Sequence, residues 1–310
     1  MLSSCHGNGD EPSRSLVSAP VVVAVAIDTT MAMAPDFDSD SRASDAGPKV
    51  LRLQLRAYAE PSSGRVAATP SGAVTTYFAP GDSLGCECRM VLPSGRYRLE
   101  AWADYVVQGT ETDLYYNTES LNDIFINKPY TGGTDWRNAY SGNSVVDFRV
   151  YEGDNDTIIN AALTTRSVMA KVKFVAIDYN EWAKKPQNLR VLVSYPQFMP
   201  SHFSVARGVP FDATTGISFI TGMSEISTAG TGRATLGSDY VMVNGESSSV
   251  SMAIGLYDDG GHQAGRSGTI NVPIRRGALT VVTGKFLTTT AGDGGIGIDP
   301  DFEGEINIYY

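Results

Sequence analysis

Three histidines and three cysteines in 310 residues leave little room for metal or nucleophile chemistry. His6, His202 and His262 lie far apart with no helical i, i+4 pair, and no H-E-x-x-H, G-x-S-x-G or P-loop spacing occurs. No catalytic residue and no cofactor is assigned; only a pocket uniting a carboxylate with His202 or His262 would reopen an enzymatic reading. Cys86 and Cys88 are too close for a relaxed disulfide and lack the further ligands a zinc site needs. They read as core or solvent-facing thiols on one side of a strand. Basic charge is short as well: 24 Lys and Arg face 34 Asp and Glu, for a formal charge of −10. Without a basic stripe, nucleic acid and anionic lipid surfaces are poor partners. Nowhere do 18 apolar residues run together, which excludes a complete transmembrane helix.

Two near-motifs fail on inspection. Gly292 to Gly297 fits GxGxxG by letter, but Pro300 discourages the helix whose N-terminus would hold a pyrophosphate. Asp299, Asp301 and Glu303, with Gly304 sixth, match the front of an EF-hand loop. The twelfth position would be Tyr310, which supplies no carboxylate, so this is at most a weak calcium alternative to an acidic turn.

What is abundant is turn chemistry and alternation. Thirty-two glycines and 15 prolines punctuate a chain that is 42% hydrophobic, and this composition points to an all-β protein. After the turn at Pro93-Ser94-Gly95, Tyr97, Leu99, Ala101, Ala103 and Tyr105 alternate with Arg96, Arg98, Glu100 and Asp104. Trp102 sits on the polar side, so that face is expected to be partly covered. Lys49 to Ala59 repeats the pattern, with Leu51, Leu53, Leu55 and Ala57 opposite Arg52, Gln54 and Arg56. The run Val21 to Ile27 (VVVAVAI) predicts a strand buried on both faces or wedged between two others. A short helix is expected near Asp135 to Tyr140, capped by Thr134 or Asp135, and a strand from Ser144 to Tyr151. The turn Glu152 to Asp156 and the new alternation from Ile158 set a domain boundary, dividing the chain into residues 20–156 and 157–310. Many short strands with turns between them argue for β-sandwiches.

Residues 1–19 read as a tether. Leu2-Ser3-Ser4-Cys5 resembles a bacterial lipobox, making Cys5 the candidate lipidated residue. The basic and apolar segments of a signal peptide do not precede it, which puts the start of such a leader upstream of Met1. Asp28 to Pro48 is long, polar and aperiodic, with Arg42 its only basic residue before Lys49. Tyr115, Tyr116, Trp136 and Tyr140 cluster in an irregular stretch, where loop aromatics either contact a ligand or form a small core of their own.

MVLPSGRYRLEAWADYV at Met90 to Val106, YYNT at Tyr115, RNAYSG at Arg137, RSVMAKVKFVAID at Arg166 and GIGIDPDFEGEINI at Gly295 resemble the fimbrillin-like, type V pilus proteins of the Bacteroidota. The resemblance implies two tandem transthyretin-like β-sandwich domains. It also implies export as an outer-membrane lipoprotein anchored by acyl chains such as palmitate, and assembly at the cell surface into a fimbrium. In that family an arginine-specific protease removes an N-terminal strand, and a neighbour's strand fills the groove. Here Val21, Val23, Val25 and Ile27 would be the removable strand, Arg42 the cleavage point, and Ile306, Ile308 and Tyr310 the donor side chains. Partners would be other fimbrial subunits and a host protein or glycan receptor. The alternative is a surface glycan-binding lipoprotein that never polymerises.

Overall fold

In a computed structural model the described residues are 14–29, 47–61, 66–79, 81–110, 112–154, 156–182, 189–223, 232–288, 297–299 and 305–309. The alternating segments fold as strands because every second side chain can then be buried while the backbone pairs sideways. In the first half these are β1 (Ser18–Asp28), β2 (Lys49–Ala59), β3 (Gly72–Phe78), β4 (Gly85–Pro93), β5 (Gly95–Val107), β6 (Tyr116–Asn117), β7 (Ile124–Ile126), β8 (Tyr140–Phe148) and β9 (Ile159–Ser167). The second half adds β10 (Met169–Ala176), β11 (Arg190–Tyr195), β12 (Met199–Ser204), β13 (Val209–Thr214), β14 (Ile217–Gly222) and β15 (Ala234–Met242). It ends with β16 (Ser247–Tyr257), β17 (Gln263–Arg266), β18 (Ile270–Arg275), β19 (Leu279–Gly284), β20 (Gly297–Asp299) and β21 (Glu305–Tyr309). The protein is all-β.

The first sheet has the order β3-β2-β5-β8-β9-β1-β4. β8 and β9 pair only at Tyr140↔Ser167 and Ser141↔Arg166. Beyond that point they part, so β3-β2-β5-β8 and β9-β1-β4 become two layers over one core. That core takes Val21, Val23 and Val25 from β1, Leu53 and Leu55 from β2, and Leu99 and Ala101 from β5. At Gly142 a Cβ would fall 2.3 Å from the Thr164 carbonyl oxygen, so only glycine permits this crossing of strands. A second core lies between the sheet β15-β10-β19-β21-β20 and the sheet β14-β11-β16 with β17 and β18. Val172, Phe174 and Ala176 of β10 face it, as their spacing predicts.

Three readings change. The strand expected at Ser144 to Tyr151 begins at Tyr140, because Tyr140 to Asn143 pair with Glu100 to Ala103 of β5. The expected helix shrinks to a 3-10 turn at Asp135–Arg137, with Thr134 accepting from the Trp136 amide. β9 lies beyond the boundary drawn at 156/157 yet runs parallel to β1 in the first sheet. We therefore propose the division between β9 and β10, where the first core ends and the second begins. The fourth sheet, β13-β12-β7-β6, draws two strands from each half, so the halves share backbone pairing.

Candidate functional site

The run Val21 to Ile27 lies in β1. It lies in a lane between β4, antiparallel from Ser18↔Pro93 to Ala26↔Gly85, and β9, parallel from Val21↔Ile159 to Asp28↔Arg166. Ala19, Val21, Val23, Val25 and Ile27 point into the core, each no more than 6% exposed, while Pro20, Ala24 and Ala26 face outward. Of the two readings of this run, the second holds: it is wedged between two strands, buried on one face and largely exposed on the other. At about 1.5–3 kcal/mol per buried side chain, the four large ones contribute on the order of 6–12 kcal/mol before chain entropy is subtracted. The strand's entry is pinned by Ser94, whose hydroxyl lies 2.7 Å from the Val17 carbonyl and 3.0 Å from that of Val150. Cys86 and Cys88 line the lane on β4, opposite Val25 and Val23, with sulfurs 3.7 Å apart. Burial is the main cause that pushes the Cys88 thiol up to about 12.

At the other end of the chain, β21 pairs in parallel with β19, Ile306 opposite Thr280 and Ile308 opposite Val282, and antiparallel with β20. Asp299 closes β20. Cys5, Arg42, Asp301, Glu303 and Tyr310 lie outside the described residues, as does the glycine-rich segment before β20.

The aromatic cluster is a core, not a ligand face. Tyr116 is fully buried, Tyr115 and Tyr140 nearly so, and Trp136 is half-buried against Tyr105. Tyr115 and Tyr116 are covered where the two halves meet, whereas Tyr140 packs in the first core. Trp102 on the outer face of β5 meets Tyr116 edge-on and Phe203 of β12 at 5.6 Å each. Charge is buried too, within the first half and, at Arg137, across the junction. Arg52 pairs with Asp104 at 2.9 Å and Asp113 at 2.8 Å. Burial raises the Asp104 carboxyl to about 6 against the pull of Arg52. Arg137 stacks 4.1 Å over Tyr130 and stands 3.7 Å from Asp239, which accepts from the Tyr130 and Tyr195 hydroxyls. Burial alone would lower its pKa, but Tyr130 and Asp239 reverse the sign and raise it.

Beside the shared sheet lies a cleft of about 580 Å³ containing His202. Its Nδ1 is 3.7 Å from both Asp123 and Asp212, outside hydrogen-bonding reach. The imidazole and carboxylates that sequence reasoning wanted in one pocket are thus together, but no acid–base hydrogen bond links them. Asp123 and Phe125 went unnoticed in the sequence because β7 pairs with β12 some 80 residues later.

No curated protein matches this sequence. Among solved structures it is similar to the fimbrial anchor protein Mfa2 of Porphyromonas gingivalis, at 15% identity and a TM-score of 0.42, covering 80% of this chain and 82% of that one. It is also similar to the tip fimbrial protein Mfa3 of the same organism, at 10% and 0.38, covering 83% and 81%. A third is a fimbrial assembly protein of Parabacteroides distasonis, at 8% and 0.39, covering 87% and 91%. The chain itself belongs to a family of unknown function, DUF6562, whose sequence profile matches residues 18–309.

Proposed function

We propose that this chain is a fimbrial subunit or accessory adhesin of the cell surface, exported as a lipoprotein through Cys5 and assembled by strand addition. The observation that carries the reading is the β1 lane. Five inward side chains at alternate positions, paired along both edges, make a groove that another strand of the same alternation can fill. Arg42 falls between β1 and β2, so cleavage there divides the covalent chain between the strand and the rest of its sandwich. β21 is the proposed donor, through Ile306, Ile308 and Tyr310, and donation requires its pairing with β19 to break. The partners are then further fimbrial subunits, and the place of action is the outer membrane and the fimbrium.

Limited digestion with an arginine-specific protease, read by intact mass and size-exclusion chromatography, tests the proposal. The expected result is a cut at Arg42, loss of the N-terminal strand and growth of larger species. An Arg42→Ala variant should stay intact there and monomeric. A protein cut at Arg42 that remains monomeric would overturn assembly by strand addition.

A further inference from the structure

The cleft beside the shared sheet has a composition that the assembly reading does not use. The His202 ring lies between Phe125, 5.5 Å away and tilted by 55°, and Phe211, 5.7 Å away and tilted by 54°. Both phenylalanines are exposed, at 36% and 41%, although each stands on a paired strand. The side chains of Asp123 and Asp212 are 58% and 62% exposed. Deeper in, the lining is apolar, through Met199 and Ile217. Asp123 and Phe125 come from the first half of the chain, the other residues from the second, so the cleft exists only when the halves are docked.

We propose that this cleft binds a neutral glycan. A sugar ring offers an apolar C–H face to stack on an aromatic side chain and a girdle of hydroxyl donors, and the cleft presents the complement of both. The carboxylates are the acceptors: their imidazole neighbour lies beyond hydrogen-bonding distance and leaves lone pairs open. Lys128 lines the same cleft and supplies a donor. Two carboxylates at the mouth repel phosphate, sulfate and acidic sugars, and two charges beside the rings disfavour a purely apolar ligand. The volume accepts one or two hexose units and lies within the range of small-ligand sites. The sequence offered Tyr115, Tyr116, Trp136 and Tyr140 either as ligand contacts or as a small core; this site uses none of them.

The site does not depend on polymerisation, so it is tested on the intact, uncleaved chain. The probe is a printed array of neutral glucans, mannans and galactans, followed by calorimetry with the oligosaccharide retained. Phe125→Ala should weaken binding by about tenfold, and Phe211→Ala, which touches His202 without lining the cleft, by less. Asp212→Asn should weaken it by roughly threefold to tenfold. Arg89→Ala, remote on β4, should leave it unchanged. Thermal unfolding of each variant separates lost contacts from lost fold, and Asp212→Asn preserves shape if a phenylalanine variant fails to fold. No retention of any neutral glycan, or binding that survives intact in the folded phenylalanine and Asp212→Asn variants, would overturn the proposal.

Discussion

The β1 lane and the junction between the halves are both buried, yet they are built on opposite principles. The lane is apolar side chains at alternate positions on a backbone ladder. The junction carries charge and tyrosine hydroxyls, as where Arg137 meets Asp239, which accepts from Tyr130 and Tyr195. The first kind of burial rests on alternation and shape. In the second, removing one partner leaves the other charge without compensation. The strand exchange proposed above would draw on the first kind and leave the second in place.

The largest contrast should appear in thiol reactivity. With Cys88 pushed up to about 12, its thiolate fraction near pH 8 is about one in ten thousand. Iodoacetamide should leave Cys88 unmodified in the intact protein and label it once β1 has been cut away, read by peptide mass. Rapid labelling with β1 in place would mean that the lane is already open. At the junction, Arg137→Met should cost about 3–5 kcal/mol in urea unfolding, because Asp239 stays buried without its cation. A cost below about 1 kcal/mol would place the junction among ordinary surface contacts.

Asp104 gives the buried charge of the first half a pH signature. Its carboxyl is raised from 3.8 to about 6, so its contribution to folding is complete below the ordinary value and is lost as pH rises through about 6. The loss between pH 4 and pH 7 is on the order of 2–3 kcal/mol. Asp104→Asn should flatten that part of the stability profile; equal slopes in both proteins would refute the assignment. The smallest effects return to the lane. Val23→Ala should cost about 1–3 kcal/mol and Ala24→Ser, one residue away and outward, less than about 0.5 kcal/mol. Similar costs at the two positions would mean that the register is wrong.

Local periodicity carried much of the architecture. The alternation in β5 and β2 marked their core faces, and Trp102 on the polar side already signalled a second covered surface. Partnership was harder to read. Nothing near β9 says that its neighbour is the first strand of the chain, because a parallel pair leaves no turn between its members. The same blindness hid the pairing of β7 with β12 and therefore the cleft. Tyr115 and Tyr116 show the converse limit: an aromatic in an irregular segment looks the same in sequence whether a ligand or another half of the molecule covers it.

The pairing of β1 along both edges has a mechanical consequence. A tensile load applied along that strand puts its inter-strand hydrogen bonds under shear, so many must yield together before it slides. The same load applied across the ladder would peel the bonds one pair at a time. A filament whose subunits were joined through this lane would carry drag in the first geometry. Its joints would resist pulling along the fibre better than lateral stripping.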